Sequence, residues 1–132
     1  MPAELTTELS LLVWSVVLCL AQMVVSAITL HLQVGLATLA GNRDDMPAVT
    51  GLAGRAQRAH RNMLENLPLF AALVLIVQMT GHNSPTTALG AQMFIWGRLA
   101  YAAIYLAGIP WLRTASWAVS LVGIVLMIIE LV

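Results

Sequence analysis

Charged residues are scarce in this sequence of 132 residues, where six basic and six acidic side chains make up only 9% of the chain. An ordinary soluble domain carries roughly a quarter charged residues. All six basic residues are arginine and the formal net charge is zero, so the sequence lacks the basic surface that nucleic-acid binding requires. The single cysteine, Cys19, excludes an intrachain disulfide and a metal site built from several cysteines.

Several common catalytic patterns are also missing. The sequence has no HExxH pair, no glycine-rich phosphate loop and no nucleophile elbow. His31 and His82 have no partner at the spacing that metal ligands need. Neither a strand-type alternation nor a repeat of 20 to 50 residues is visible. These absences exclude the usual metal and nucleotide sites and favour an all-helical chain.

Apolar residues dominate the sequence. They make up 60% of the chain, and the mean hydropathy is +0.88. A domain of this size has a high surface-to-volume ratio, so one small core cannot bury that much apolar surface. We therefore expect lipid to be the solvent for much of the protein.

Four apolar stretches are each long enough to cross a hydrocarbon layer of about 30 Å at 1.5 Å per helical residue. Polar residues, glycine and proline separate them in residues 41–51 and 81–85 and near Pro110. The sequence thus predicts an all-α, single-domain integral membrane four-helix bundle, with spans at residues 9–39, 53–80, 86–108 and 111–132.

The arginines indicate an orientation. Arg43, Arg55, Arg58 and Arg113 lie at or near the first and third connections, whereas the second connection and both termini carry no arginine. The positive-inside rule then places these two connections in the cytoplasm and both termini outside. Residues 1–10 lack the basic start of a signal peptide, so we expect the apolar stretch that follows to be retained.

A polar stripe interrupts the second span. At about 100° per residue, five side chains share an arc of roughly 120°, and they are Arg55, Arg58, Arg61, Asn62 and Glu65. Two arginines could reach the headgroups, and Arg61 with Glu65 could form an ion pair four residues apart. However, an ionisable group deep in a membrane is costly and usually faces the bundle interior or a wet cavity. The depth of Asn62 and Glu65 therefore favours a polar binding site.

The third span carries a second polar set. Arg98, Tyr101 and Tyr105 are spaced at i, i+3 and i+7, which places them within about 60° of each other on a helix. Arg98 lies deep in the span and needs an anionic partner, for which Glu65 or a bound carboxylate are the candidates. Arg113, just past the third connection, is either a topology anchor or a cation that faces the site.

Two motifs resemble the signatures of one family. The second-span string R-A-x-x-N-x-x-E is Arg58, Ala59, Asn62 and Glu65 here, followed by Pro68, and the third-span string R-L-x-Y-x-x-x-Y is Arg98, Leu99, Tyr101 and Tyr105. Together with four spans and this length, they make the chain similar to the membrane-associated proteins in eicosanoid and glutathione metabolism, the MAPEG family, in its small bacterial form.

The resemblance implies a homotrimer that binds glutathione as co-substrate between neighbouring subunits near the cytoplasmic face of a bacterial inner membrane. Lipophilic substrates would enter from the surrounding membrane lipid. Matched by motif, Arg58, Asn62 and Glu65 would hold the charged ends of glutathione, and the third-span motif would complete the pocket. Arg113 resembles the arginine that faces the glutathione sulfur in catalytic members.

Two neighbouring arginines join the expected binding set, since Arg55 lies on the same stripe and Arg61 matches an arginine that only some members have. Some members have a tyrosine where Asn66 stands here. The first-span arginines of some members are absent, and His31 and Gln33 are the nearest polar residues.

The expected activity is that of a glutathione-dependent transferase or peroxidase. It would act on lipophilic electrophiles or lipid hydroperoxides through a glutathione thiolate stabilised by arginine. Two alternatives remain open at the level of the sequence. The protein could bind lipid or glutathione without catalysis, or it could be a structural membrane subunit whose polar stripe forms internal ion pairs only.

Overall fold

A computed structural model describes residues 4–44 and 46–132. Within these ranges the chain contains helices and no strand, which agrees with the all-α prediction. In chain order the helices are α1 (Thr7–Val34), α2 (Leu36–Ala40), α3 (Gly51–Thr80), α4 (Pro85–Ala107) and α5 (Pro110–Leu131).

The ends of α3 and α4 follow from local sequence chemistry. Gly81 and Gly108 end these helices in the left-handed conformation that glycine adopts at low cost. Ser84 begins α4 with a capping box, because its side chain accepts from the Thr87 N–H while the Thr87 hydroxyl accepts from the Ser84 N–H. Pro85 occupies the first turn, where its missing N–H costs nothing. These caps make the turn between α3 and α4 short.

The stretch predicted for residues 9–39 is divided. Gly35 has a φ of 85°, which side-chain-bearing residues rarely adopt, and its N–H caps α1 by donating to the His31 carbonyl oxygen at 2.9 Å. The chain then forms the five-residue helix α2. With 28 residues, α1 still extends about 42 Å, enough to cross a bilayer.

In the part of the chain that the structure describes, three helices are long and apolar enough to cross a membrane, namely α1, α3 and α5. These helices support the prediction that the chain is a membrane protein. The fourth long helix, α4, has 23 residues and so about 35 Å of length, but it carries Arg98 at its centre. Its crossing of the bilayer stays a prediction.

Small residues bring α4 and α5 into close contact. A Cβ atom added at Gly90 would lie 2.6 Å from the Gly123 carbonyl oxygen, and one added at Gly97 would lie 2.8 Å from the Ser120 nitrogen. Such approach of two backbones is the usual way in which membrane helices pack without large side chains. It packs the stretch from Gly90 to Gly97 of α4 against the stretch from Ser116 to Gly123 of α5.

An apolar core joins α3, α4 and α5 on the N-terminal side of Arg98 in α4. The Phe70 and Phe94 rings stack with centroids 4.1 Å apart, and Met63, Val74 and Met127 are fully buried beside them. Residues of α1 pack against this core. This core fixes how α3 packs against α4, and the contacting faces of the two helices continue toward the polar residues.

Candidate functional site

Arg98 lies at the centre of the polar cluster and is only 1% exposed. Its Nη1 donates to Asn62 Oδ1 at 2.7 Å, and its guanidinium carbon lies 4.4 Å from the centre of the Tyr101 ring. Its Nε and Nη2 atoms are buried without a hydrogen-bond partner among the described residues. The charged guanidinium therefore contacts one neutral amide and one aromatic ring, and two of its nitrogens carry N–H donors without a partner among the described residues.

Asn62 is positioned by the residue one turn later. Asn66 is buried, and its Nδ2 donates to the Asn62 carbonyl oxygen at 2.8 Å and to Asn62 Oδ1 at 3.2 Å. This contact holds the Asn62 side-chain oxygen where Arg98 can reach it. Asn66 is not one of the five residues of the predicted stripe, although its spacing of four residues from Asn62 is the signal for such a contact.

Two tyrosines of α4 belong to the polar cluster. The Tyr101 and Tyr105 rings meet edge to face with centroids 5.5 Å apart, and both are buried. Arg58 Nε, from α3, donates to the Tyr105 hydroxyl oxygen at 3.1 Å. The guanidinium of Arg113, from α5, lies 4.4 Å from the centre of the Tyr105 ring. Tyr105 thus contacts one arginine of α3 and one arginine of α5.

A polar cavity opens beside these side chains. It has a volume of about 150 Å³. Its walls are Asn62, Tyr101, Arg113, Thr114 and Trp117. Thr114 and Trp117 are not among the site residues predicted from the sequence, because small and aromatic residues on a membrane helix usually mean packing. The available signal was the spacing of Trp117, which lies four residues after Arg113 and so on the same helix face.

The outer residues of the stripe have different surroundings. Arg58, Arg61 and Glu65 are exposed on the surface of the chain. Glu65 lies 14 residues after the start of α3, about 21 Å along the helix, so its carboxylate is far from that end. The hydrogen-bond partner of Arg98 is Asn62 rather than Glu65. Glu65 is therefore not the partner of Arg98 in this structure, although the sequence made it a candidate.

Arg55 contacts the backbone of α4. Its Nε donates to the Leu106 carbonyl oxygen at 3.2 Å. A cation at this position stabilises the C-terminal end of a helix, whose last carbonyl groups have no partner within the helix. Arg55 therefore ties the start of α3 to the end of α4, and this contact places it at the edge of the cluster.

The two motifs meet in space through side-chain contacts. Arg58 and Asn62 of the α3 motif contact Tyr105 and Arg98 of the α4 motif. A model of the MAPEG family matches residues 11–132, nearly the whole chain. The chain belongs to the MAPEG family. The resemblance that the two motifs predict is thereby confirmed.

MAPEG membership bears on chemistry as well as on fold. The family includes glutathione transferases and peroxidases, so membership is consistent with a glutathione-related activity in a membrane. A search among curated proteins finds no match to this chain.

Proposed function

We propose that this protein is a membrane-bound glutathione-dependent transferase or peroxidase that acts on lipophilic electrophiles or lipid hydroperoxides. The observation that carries the proposal is the guanidinium of Arg98, which is buried with Nε and Nη2 unpartnered among the described residues. A buried charge that lacks a counter-charge is strongly unfavourable. A bound anion would remove that cost.

The surrounding charges suit glutathione, which carries two carboxylates and one ammonium group. A carboxylate can accept from the two free donors of Arg98 in the paired geometry that a guanidinium favours. Arg58 and Arg113 contact Tyr105 beside it and supply positive charge for the rest of the peptide. Glu65 is the acid of the motif and the candidate partner for the ammonium.

A second copy of the chain would complete the site. The cavity of about 150 Å³ in one subunit is smaller than the roughly 300 to 1,000 Å³ that ligand pockets usually have. The side chains of Arg58, Arg61 and Glu65 are exposed in the single chain. A neighbouring subunit of a homotrimer would cover these charges and enclose the peptide, with α4 as the fourth crossing and the site near the cytoplasmic face of a bacterial inner membrane.

The chemistry needs the thiolate of glutathione. For transfer, the thiolate attacks an electrophilic carbon, a C–S bond forms, and the displaced electron pair leaves on the leaving group or on an adjacent atom that is then protonated. For a hydroperoxide, the thiolate attacks the terminal oxygen, an S–O bond forms as the O–O bond breaks, and the lipid oxygen takes up a proton. The lipid then leaves as an alcohol, and a second glutathione reduces the resulting sulfenic acid to give disulfide and water.

Arg113 is the candidate cation for the thiolate. A thiol with a pKa near 8.5 is only a few per cent ionised at pH 7, so full ionisation gains at most roughly thirtyfold, or about 2 kcal/mol. Arg113 lines the polar cavity and stacks on Tyr105, so it can lie close to a sulfur in that cavity. The larger share of the rate must come from holding thiolate and lipid together, which can supply several kcal/mol more.

The test has two steps on the full chain in detergent. Calorimetric titration measures glutathione binding, and the conjugation of a general electrophile is then followed with and without the protein. Ophthalmic acid, in which a methyl group replaces the thiol of glutathione, is the matched control and should bind without turnover. Binding of glutathione without turnover would identify a non-catalytic glutathione-binding protein. Absence of binding would refute the proposal in favour of a lipid-binding protein or a structural subunit.

A further inference from the structure

The charge of Arg113 is located by an aromatic ring. Its guanidinium carbon lies 4.4 Å from the centre of the Tyr105 ring. The hydrogen bond that Arg113 makes among the described residues comes from its backbone N–H, which donates to the Ile109 carbonyl oxygen at 3.3 Å. The position of the guanidinium therefore depends on the ring rather than on an acid or a carbonyl group.

A short turn brings the two residues together. Gly108 ends α4 at a φ of 79°, and α5 begins two residues later at Pro110. Tyr105 thus lies in the last turn of α4, and Arg113 lies in the first turn of α5. The N-terminal end of a helix carries partial positive charge, so a cation there does not stabilise α5. The placement of Arg113 is explained by the ring and not by its own helix.

Packing holds the Tyr105 ring in place. The ring is buried with Ala59 and Tyr101, and Trp117 packs against this group. Its hydroxyl oxygen accepts from Arg58 Nε at 3.1 Å. A fixed aromatic ring offers its negative face to a cation at a defined position.

A second cation increases the importance of the ring. The guanidinium carbon of Arg58 lies 5.9 Å from the centre of the Tyr105 ring, so two arginines approach one aromatic side chain. Like charges repel each other. Arg58 is anchored through the hydroxyl of Tyr105, whereas the ring face is the contact that holds Arg113.

We propose that Tyr105 is a positioning residue for Arg113, whose guanidinium its ring holds beside the polar cavity where the glutathione sulfur is expected. This inference rests on the proposed function. Without the ring, the long side chain of Arg113 can extend to the lipid headgroups, where its charge is hydrated. A cation over a buried ring is favoured by roughly tenfold, so the ring decides between the two positions.

Two substitutions separate the ring of Tyr105 from its hydroxyl. Tyr105→Phe keeps the ring and removes the acceptor of Arg58, so the glutathione Kd should rise roughly threefold to tenfold. Tyr105→Leu removes the ring as well. It should raise Kd to a similar extent and also lower kcat at pH 7 by roughly tenfold, since the thiol pKa rises toward 8.5 when the cation moves away.

The ionisation of bound glutathione is the deciding measurement. The ultraviolet absorbance of the thiolate is followed against pH on the full chain in detergent, at saturating glutathione, so that weaker binding does not affect the result. The thiolate fraction at pH 7 should stay within about twofold of the parental value in Tyr105→Phe and fall roughly tenfold in Tyr105→Leu. The other charged and titratable groups of the site are the same in these proteins, namely Arg55, Arg58, Arg61, Glu65, Arg98 and Tyr101.

A double-mutant cycle tests whether the ring acts through Arg113. In the Arg113→Ala background, Tyr105→Leu should change the thiolate fraction by no more than about twofold, because the cation that the ring positions is absent. Phenylalanines with increasing ring fluorination at position 105 then weaken the negative ring face with little change of size. The thiolate fraction should fall along this series, whereas a purely structural role would leave it constant. The series also tests the proposal where Tyr105→Leu does not fold.

Thiolate fractions that agree within about twofold in Tyr105→Phe and Tyr105→Leu would overturn this proposal and leave the proposed function intact. A constant thiolate fraction along the fluorinated series, or a further loss of about tenfold in the Arg113→Ala background, would do the same. A parental protein that neither binds glutathione nor conjugates an electrophile would refute the proposed function and this proposal with it.

Discussion

Replacing Arg98 by methionine should weaken glutathione binding without destabilising the free protein. The guanidinium has one hydrogen bond, to Asn62, and a ring contact with Tyr101, while Nε and Nη2 have no partner among the described residues. Methionine fills similar space without charge. The two roles of Arg98, in binding and in folding, are therefore expected to change in opposite directions.

The magnitudes follow from the contacts. A hydrogen bond to a charged group is worth about 1.5 to 3 kcal/mol, so two bonds to a glutathione carboxylate amount to about 3 to 6 kcal/mol, or a hundredfold or more in Kd. In the free protein, loss of the unpartnered charge offsets loss of the Asn62 bond and the ring contact. We therefore expect the free energy of unfolding of Arg98→Met to be unchanged or to increase by up to about 2 kcal/mol. Asn62 Oδ1 keeps the donor of Asn66 at 3.2 Å.

Calorimetric titration with glutathione and thermal unfolding of the free protein measure the two quantities. Arg43→Met is the matched control, because Arg43 is exposed in the first connection and its bond among the described residues is to the Leu39 carbonyl oxygen. It should leave the affinity unchanged. A Kd for Arg98→Met within about threefold of the parental value, or a large loss of stability, would show that Arg98 serves the fold rather than a ligand.

Three further changes test separate parts of the molecule. Arg113→Ala should lower kcat by up to roughly thirtyfold with little change in glutathione Kd, whereas Glu65→Ala should mainly raise Kd, and equal losses of affinity in both variants would contradict this division. Gly123→Ala should cost about 1 to 3 kcal/mol, since its Cβ would collide with the Gly90 carbonyl oxygen, and an unchanged melting temperature would refute the close helix contact. Gln22→Leu should stabilise the protein by about 1 to 3 kcal/mol because it removes a buried amide without a partner among the described residues, and a lower melting temperature would show that the amide is paired in the assembled protein.

The helices of the site could be predicted because their sequence signals are local. Helical periodicity alone places Arg58 and Asn62 on one face of α3, and Arg98 and Tyr105 on one face of α4. The structure joins these faces through two hydrogen bonds. Which pairs form could not be predicted, since the rotation of α3 against α4 depends on packing that a single sequence does not reveal.

Other features depend on three-dimensional context. A glycine inside an apolar run is common in membrane helices, so the positive φ of Gly35 and the division of the predicted first span were not visible in the sequence. Gln22 looked like one of several isolated polar residues in that span. Its burial without a partner among the described residues depends on how α1 packs against α3 and α4, whose apolar side chains there resemble those of any lipid-facing helix.

The surroundings of Arg61 and Glu65 could not be predicted from the sequence either. Sequence periodicity predicts a shared face but not what covers it. In a single chain Arg61 and Glu65 lie on the surface, and the proposed trimer would place a neighbouring subunit over them.

The most direct measurement is an experimental structure of the assembled protein with glutathione bound. We predict a glutathione carboxylate at about 3 Å from both Nε and Nη2 of Arg98, with the sulfur beside Arg113. A structure in which glutathione binds elsewhere, or in which those two nitrogens stay unpartnered at saturating glutathione, would contradict the assignment of this cluster as an anion-binding site.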